Sequence, residues 1–247
     1  FWEVSNAEHL ALSDGVGMIN LSHFAIFDVV GADAEALLEY LSVAKLGTNT
    51  PIGKGVYTHF LDHTGGVRSD LTIVRLAEDA YRVICGGDTG YRDYVWMKKF
   101  RGKLGFTNVE FIDQSEQLAT LGLWGPEARS TLQKLMDDPD SVSGEAFPYT
   151  MTREIDVLGV KVWAFRISYV GEQGWELYFP FADGFDGVLV IVVRVDAQRR
   201  KLFGGGGNEV FVVSEALFDR PAQCGGVYLG EEERGRTVEL EEGAGFL

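Results

Sequence analysis

The sequence predicts an α+β fold. Three observations carry that expectation. Segments with strand-like alternation outnumber helical ones and cluster around glycine turns. Helical spacing appears in separate stretches, without the regular strand–helix–strand rhythm of a doubly wound sheet. The 247 residues are 46% hydrophobic and 12% aromatic, ample for a packed core in one large domain or two small ones.

The elements follow in order. Residues 8–12 read as a short helical start and 16–30 as strand material, ending at the turn Gly31-Ala32-Asp33. Leu37, Leu38 and Leu41 give residues 34–41 the spacing of one helix face. Residues 49–53 form a loop. Residues 57–60 and 70–76 read as paired strands around Thr64-Gly65-Gly66, with 81–85 a third. Tyr94, Met97 and Phe100 predict a helix over 89–100, with Thr89 as its cap. A second unit opens near Ser115. It has a strand at 118–123, a helix at 126–136 with Pro126 in its first turn, and strands at 152–158, 160–169 and 175–179. The expected division is 1–112, 113–186 and an atypical tail, 187–247.

That tail changes texture. The β-branched run 188–193, the basic Arg199-Arg200-Lys201, the tetraglycine 204–207 and the acidic 231–233 break local consistency, which a misassigned stretch explains better than a genuine divergence. As written it is expected to pack poorly, with apolar side chains outward and charges inward.

Composition excludes some functions. A net charge of −15 and pI near 4.7 argue against nucleic acid, which needs a basic footprint. The longest apolar run, 187–193, is too short to span a bilayer. Cys85 and Cys224 form no metal or redox spacing, and Cys85 reads as a buried small hydrophobe. Sparse reduced cysteine suits the cytoplasm, or a mitochondrial matrix in a eukaryote. The opening Phe1-Trp2-Glu3 reads as the start of a fragment without a signal peptide.

Two motifs carry the chemistry. One runs from Tyr57 through Gly65-Gly66 to Asp70 and Leu71, the other from Arg166 through Gly171 and Gly174 to Glu176 and Tyr178. Each places an acid after a glycine turn in an apolar strand, where an acid needs water or a partner. An isolated strand acid is more often simply solvated. Should Asp70 and Glu176 converge, they give an apolar pocket a polar floor suited to a nitrogen-rich ring. Period two puts Glu176 and Tyr178 on one face, Trp175 and Leu177 on the other. His59 and His63 lie on a strand and turn, so metal binding is not expected. The turn at 86–90 lacks both GxGxxG spacing and the P-loop lysine.

These residues resemble the folate-dependent aminomethyltransferase family, which includes the glycine cleavage T-protein and the folate domains of dimethylglycine and sarcosine dehydrogenases and oxidases. Glu8-His9, Gly15-Val16-Gly17 and Leu21-Ser22-His23-Phe24 are similar to its opening segment. Residues 53–71 resemble its YTxxLNxxGGxxDDL block, with Asp62 for the Asn and Ser69 for the first Asp. Leu121-Gly122-Leu123-Trp124-Gly125-Pro126 resembles its LxGPxA turn, and 168–180 its SYxGExGWELYxP block. Residues 86–96 are similar to the dehydrogenase and oxidase branch. The ARDxLRLExG-like segment has only a late echo at Arg234 and Arg236, with Glu239 in place of one Arg.

The resemblance implies a T-protein-like folate-binding fold without the family's C-terminal β-rich domain. It implies transfer of a methylene or aminomethyl unit from an amine donor to tetrahydrofolate, with a lipoyl carrier protein or a flavin domain as the donor's source. A non-catalytic folate binder and a folate-dependent demethylase are the alternatives. By position, Asp70 falls on the essential acid and Glu176 on the pterin-binding acid. Tyr57, Phe24, Tyr178 and Leu71 fall around the pocket.

Overall fold

The structure is a computed structural model that describes residues 2–181. The expectations for the tail, Cys224 and the Arg234–Arg236 echo lie outside the described residues. Two five-stranded antiparallel sheets make up the fold. The first contains β2 (Ala25–Val30), β3 (Gly55–Leu61), β4 (Val67–Ala77), β5 (Ala80–Cys85) and β6 (Glu110–Asp113), in the order β3-β4-β5-β2-β6. The second contains β1 (Gly17–Asn20), β7 (Leu118–Trp124), β8 (Thr152–Val157), β9 (Val160–Phe165) and β10 (Gly174–Pro180), in the order β1-β7-β10-β9-β8. The helices are α1 (Trp2–Asp14), α2 (Ala34–Leu41), α3 (Gly87–Leu104) and α4 (Ala128–Gln133). Among the described residues no helix is long and apolar enough to cross a membrane.

Strand alternation sorts the core into three layers. On the first sheet, Phe27, Val29, Phe60, Leu71, Ile73, Tyr81, Val83 and Cys85 pack beneath α2 and α3. On the second, Leu121, Leu123, Trp175, Leu177 and Phe179 pack beneath α4. Burying a side chain such as Leu177 or Phe179 contributes about 1.5–3 kcal/mol each. Between the sheets, Ile26, Val74 and Ile84 of the first meet Phe165 and Tyr178 of the second. Gly55 lies at this junction because any side chain would not fit: a Cβ there would stand 2.3 Å from the Phe165 ring. Central strands are therefore buried on both faces, which is why β2 and β10 read as continuous apolar runs rather than alternating ones.

Several elements differ from the sequence reading. β1 pairs with β7, so it crosses the division expected at 112/113. The stretch 16–30 is two strands, and the four-residue β6, mostly exposed with only Phe111 packed on the core, was too short for the sequence pattern to mark. The helix expected at 126–136 spans only Ala128–Gln133, because Pro126 lies in the turn before it and the chain tightens before Pro139. The strand expected to Tyr169 ends at Phe165, as β10 pairs with it only that far. Thr89 does not cap α3: the cap is Gly86, and the Thr89 hydroxyl donates back to the Gly86 carbonyl at 3.1 Å.

Candidate functional site

Glu176 sits in the middle of β10, opposite Gly122 of β7 and Phe165 of β9. Alternation sends Trp175 and Leu177 toward α4, and Glu176 with Tyr178 toward the junction of the sheets. The carboxyl is 8% exposed. Its Oε2 accepts the Tyr178 hydroxyl at 2.5 Å. Among the described residues no other side chain donates to it. Burial pushes its pKa up to about 7, and the Tyr178 hydrogen bond pulls the other way. Tyr178 is itself fully buried, its ring edge-on to Trp163 at 5.0 Å. Burial first, then the Glu176 charge, pushes its phenol well up.

The space beside Glu176 depends on Gly122. A Cβ there would lie 2.2 Å from the Trp124 indole, so that ring folds over the glycine. The Trp124 indole N–H donates to the Ile167 carbonyl at 2.7 Å. That bond pins the start of the loop carrying Tyr169, which is 87% exposed.

Asp70 occupies β4 opposite His59 of β3. It is exposed, and its Oδ2 accepts the Tyr57 hydroxyl at 3.1 Å. Tyr57 is 60% exposed and meets the His59 ring edge-on at 5.3 Å. The Asp70 hydrogen bond raises the Tyr57 pKa, with smaller contributions that include the Tyr169 phenol, so that loop lies near the hairpin. The hairpin turn is built by Asp62. Its Oδ1 accepts the backbone N–H groups of Thr64 and Gly66 and the Thr64 hydroxyl. Asn performs the same turn chemistry, which accounts for the exchange at this position.

Asp70 shares its strand face with Thr72 and Val74, and Val74 belongs to the cluster between the sheets. Phe24 packs against the same cluster. Asp70, Tyr57, Glu176 and Tyr178 thus lie on the strand faces that look toward the junction, and Phe24 packs there from the turn before β2. Leu71 does not join them. Alternation turns it to the helix side, 3% exposed, among Cys85 and Met97, so its expected place in the pocket wall is corrected to core packing.

The sequence reading missed Asp93. It is fully buried in α3, and its Oδ2 accepts the Ser69 hydroxyl at 2.6 Å. A carboxylate at 69 would face Asp93, so a hydroxyl there relieves a like-charge contact. Also missed were Asp28 and Arg82, paired across β2 and β5. A lone acid in Ala25–Val30 and a lone base in Ala80–Cys85 were the available signal. Among the described residues no group of three His, Cys, Asp or Glu side chains is placed to hold a metal ion.

Comparison with known proteins identifies the family and the fold. Residues 1–194 match the family model described as GCVT N-terminal domain. The chain is 36% identical over 177 residues to 4-methylaminobutanoate oxidase (formaldehyde-forming) of Paenarthrobacter nicotinovorans, covering 71% of this chain and 20% of that protein. It is 34% identical over 188 residues to the aminomethyltransferase of Listeria monocytogenes serotype 4b, covering 74% and 49%. It therefore spans about half, or less, of the length of these curated relatives. The crystal structure of glycine cleavage system aminomethyltransferase T from Bartonella henselae superposes with a TM-score of 0.64 at 23% identity, covering 75% of this chain and 47% of that one, a likeness of fold. The chain belongs to the GCVT N-terminal domain family, the aminomethyltransferase family whose motifs it carries.

Proposed function

We propose that this chain is a folate-binding transferase domain that helps move a one-carbon unit from an amine donor to tetrahydrofolate. One observation carries the reading. Among the described residues Glu176 is a buried carboxyl with a single side-chain donor, in an aromatic surround, and its raised pKa reflects burial without further donors. A pterin edge, with its amino and ring N–H groups, supplies such donors in bidentate form. Phe24 and the other junction-facing apolar side chains suit the ring faces.

Tetrahydrofolate supplies a nucleophilic nitrogen that accepts the carbon. The chain's own residues do the rest. Glu176 fixes the ring's orientation, held by Tyr178. Asp70, exposed and hydrogen-bonded by Tyr57, stabilises positive charge on the donor nitrogen and takes the proton released on transfer. A donor carbon already activated as an iminium needs positioning and charge stabilisation more than a strong base. Asp70's exposure favours this reading over a non-catalytic binder of the same fold, in which an occluded acid would be expected. The donor and its source, a lipoyl carrier protein or a flavin domain, belong to the whole protein.

Calorimetric titration with 5-formyltetrahydrofolate tests the reading. Saturable binding, lost or strongly weakened in Glu176→Gln, is the expected result. Absence of heat and of any thermal shift in the folded wild-type chain would overturn it.

A further inference from the structure

A largely buried ion pair lies on the first sheet where the second covers it. Asp28 and Arg82 stand directly opposite each other on β2 and β5. Arg82 Nε and Nη2 donate to Asp28 Oδ1 and Oδ2 at 2.8 and 3.0 Å, a bidentate fork that fixes the guanidinium plane. Gln114 Nε2 also donates to Asp28 Oδ2, at 3.2 Å. The guanidinium carbon lies 4.7 Å from the centroid of the Trp163 ring on the second sheet. Trp163 is edge-on to Tyr178, and Tyr178 donates to Glu176. A continuous series of contacts thus joins an ion pair on one sheet to the candidate ligand-binding carboxylate on the other.

Buried pairs of this kind are poor stability devices, since apolar replacements of similar volume are often as stable. What the pair does supply is a cation of fixed orientation at an otherwise apolar junction. We propose that Arg82 is a positioning residue of the Glu176 site: anchored by Asp28 and stacked on Trp163, it polarises the Tyr178 hydroxyl against Glu176 and favours the ionised, ligand-binding carboxylate. The proposal rests on Glu176 being the ligand carboxylate.

The groups around Glu176 limit the alternatives. Its own strand offers Tyr178. The neighbouring strands offer Phe165 and Trp163 on β9, and Gly122, Thr120 and Trp124 on β7, all neutral. The first sheet offers Arg82 and Asp28, with Asp70 and Tyr57 further along the same face. Arg82 acts on Tyr178 in the required sense, its charge favouring a more acidic phenol. A polarised O–H is the stronger donor, and a carboxylate that receives it is easier to ionise. Asp28 opposes this by partly neutralising the cation.

The two members of the pair therefore push Glu176 in opposite directions, which a purely structural role would not do. The test follows the Glu176 carboxyl by carbon-13 NMR across pH in the ligand-free 247-residue chain, with Glu176→Gln to assign the signal. Asp28→Asn, which keeps the shape and leaves the cation unopposed, is expected to lower the midpoint. The double variant Asp28→Leu/Arg82→Met replaces the pair with apolar side chains. It is expected to raise the midpoint by about half a pH unit or more, and to weaken 5-formyltetrahydrofolate at pH 7 by about threefold or more. Near-UV circular dichroism confirms native packing in each variant. Unchanged midpoints, or both moving in one direction, overturn the proposal. Opposite shifts in a chain that binds no folate leave the Arg82 coupling standing and refute the folate reading instead.

Discussion

Asp70 and Glu176 are alike in sequence and opposite in environment. Each follows a glycine turn in an apolar strand, and each accepts a hydrogen bond from a tyrosine. Asp70 is exposed beside a tyrosine that is itself 60% exposed. Glu176 is 8% exposed beside a tyrosine sealed in the core. Position within the sheet makes the difference. Asp70 lies one residue past the last β4 position paired with β5 and has only β3 beside it, at the open end of the sheet, whereas Glu176 lies in the middle of β10, flanked by β7 and β9. An acid at the open end of the sheet is exposed to water and to an incoming donor. A central acid is starved of donors and gains most from a ligand that brings them. On the proposed function, one motif shape serves two tasks, chemistry at the open end of one sheet and recognition in the centre of the other.

The largest expected effect separates those tasks. Asp70→Ala is expected to lower methylene transfer to tetrahydrofolate by about 10²–10⁴-fold, while the affinity for folate stays within about threefold. A variant that keeps near-wild-type transfer would remove the acid from the chemistry and leave a binding domain. Glu176→Gln is the reciprocal change. It is expected to weaken 5-formyltetrahydrofolate about tenfold or more, the loss of a charged hydrogen bond worth about 1.5–3 kcal/mol.

The same substitution sharpens the contrast through stability. The folded Glu176 pKa of about 7 stands above its ordinary 4.5, so the folded chain holds a proton that the unfolded chain releases. Its contribution to stability is fully present below about 4.5 and is lost as pH rises through about 7, a change of about 3 kcal/mol in all. Glu176→Gln removes this loss. Denaturant titration at pH 8 is expected to show the ligand-free variant more stable than wild type by up to about 3 kcal/mol, with the difference vanishing near pH 4. A variant less stable at pH 8 would show that the carboxyl is satisfied without a ligand.

The tyrosines give the smaller effects. Tyr178→Phe takes from Glu176 its hydroxyl donor and is expected to weaken folate by about two- to tenfold, with the Glu176 midpoint moving further up. Tyr57→Phe removes an exposed hydrogen bond, for which an effect on folate affinity within about threefold is expected. Calorimetry across pH reads both. An effect of Tyr57→Phe exceeding that of Tyr178→Phe would reverse the ranking of edge and centre.

Much of the first sheet was legible because its signals are local. Gly65-Gly66 between alternating runs marks a hairpin, and Leu37, Leu38 and Leu41 mark a helix face. The site was legible in part. Period two places Glu176 with Tyr178, and it also turns Leu71 away from Asp70, toward the helix-side core. Asp93 gave no usable signal, since an acid on a helix reads as solvated until a strand is found packed over it.

By itself the sequence determined what depends on near neighbours: the strands, the turns, the family blocks and the two acids that follow them. Tertiary structure alone decided which of those acids is buried, because burial depends on strands distant in the chain. β10 becomes central only when β7 and β9 pair on either side of it, and Arg82 reaches Trp163 only when one sheet covers the other. Solvent exposure, and with it the charge state of Glu176, is a property of that packing.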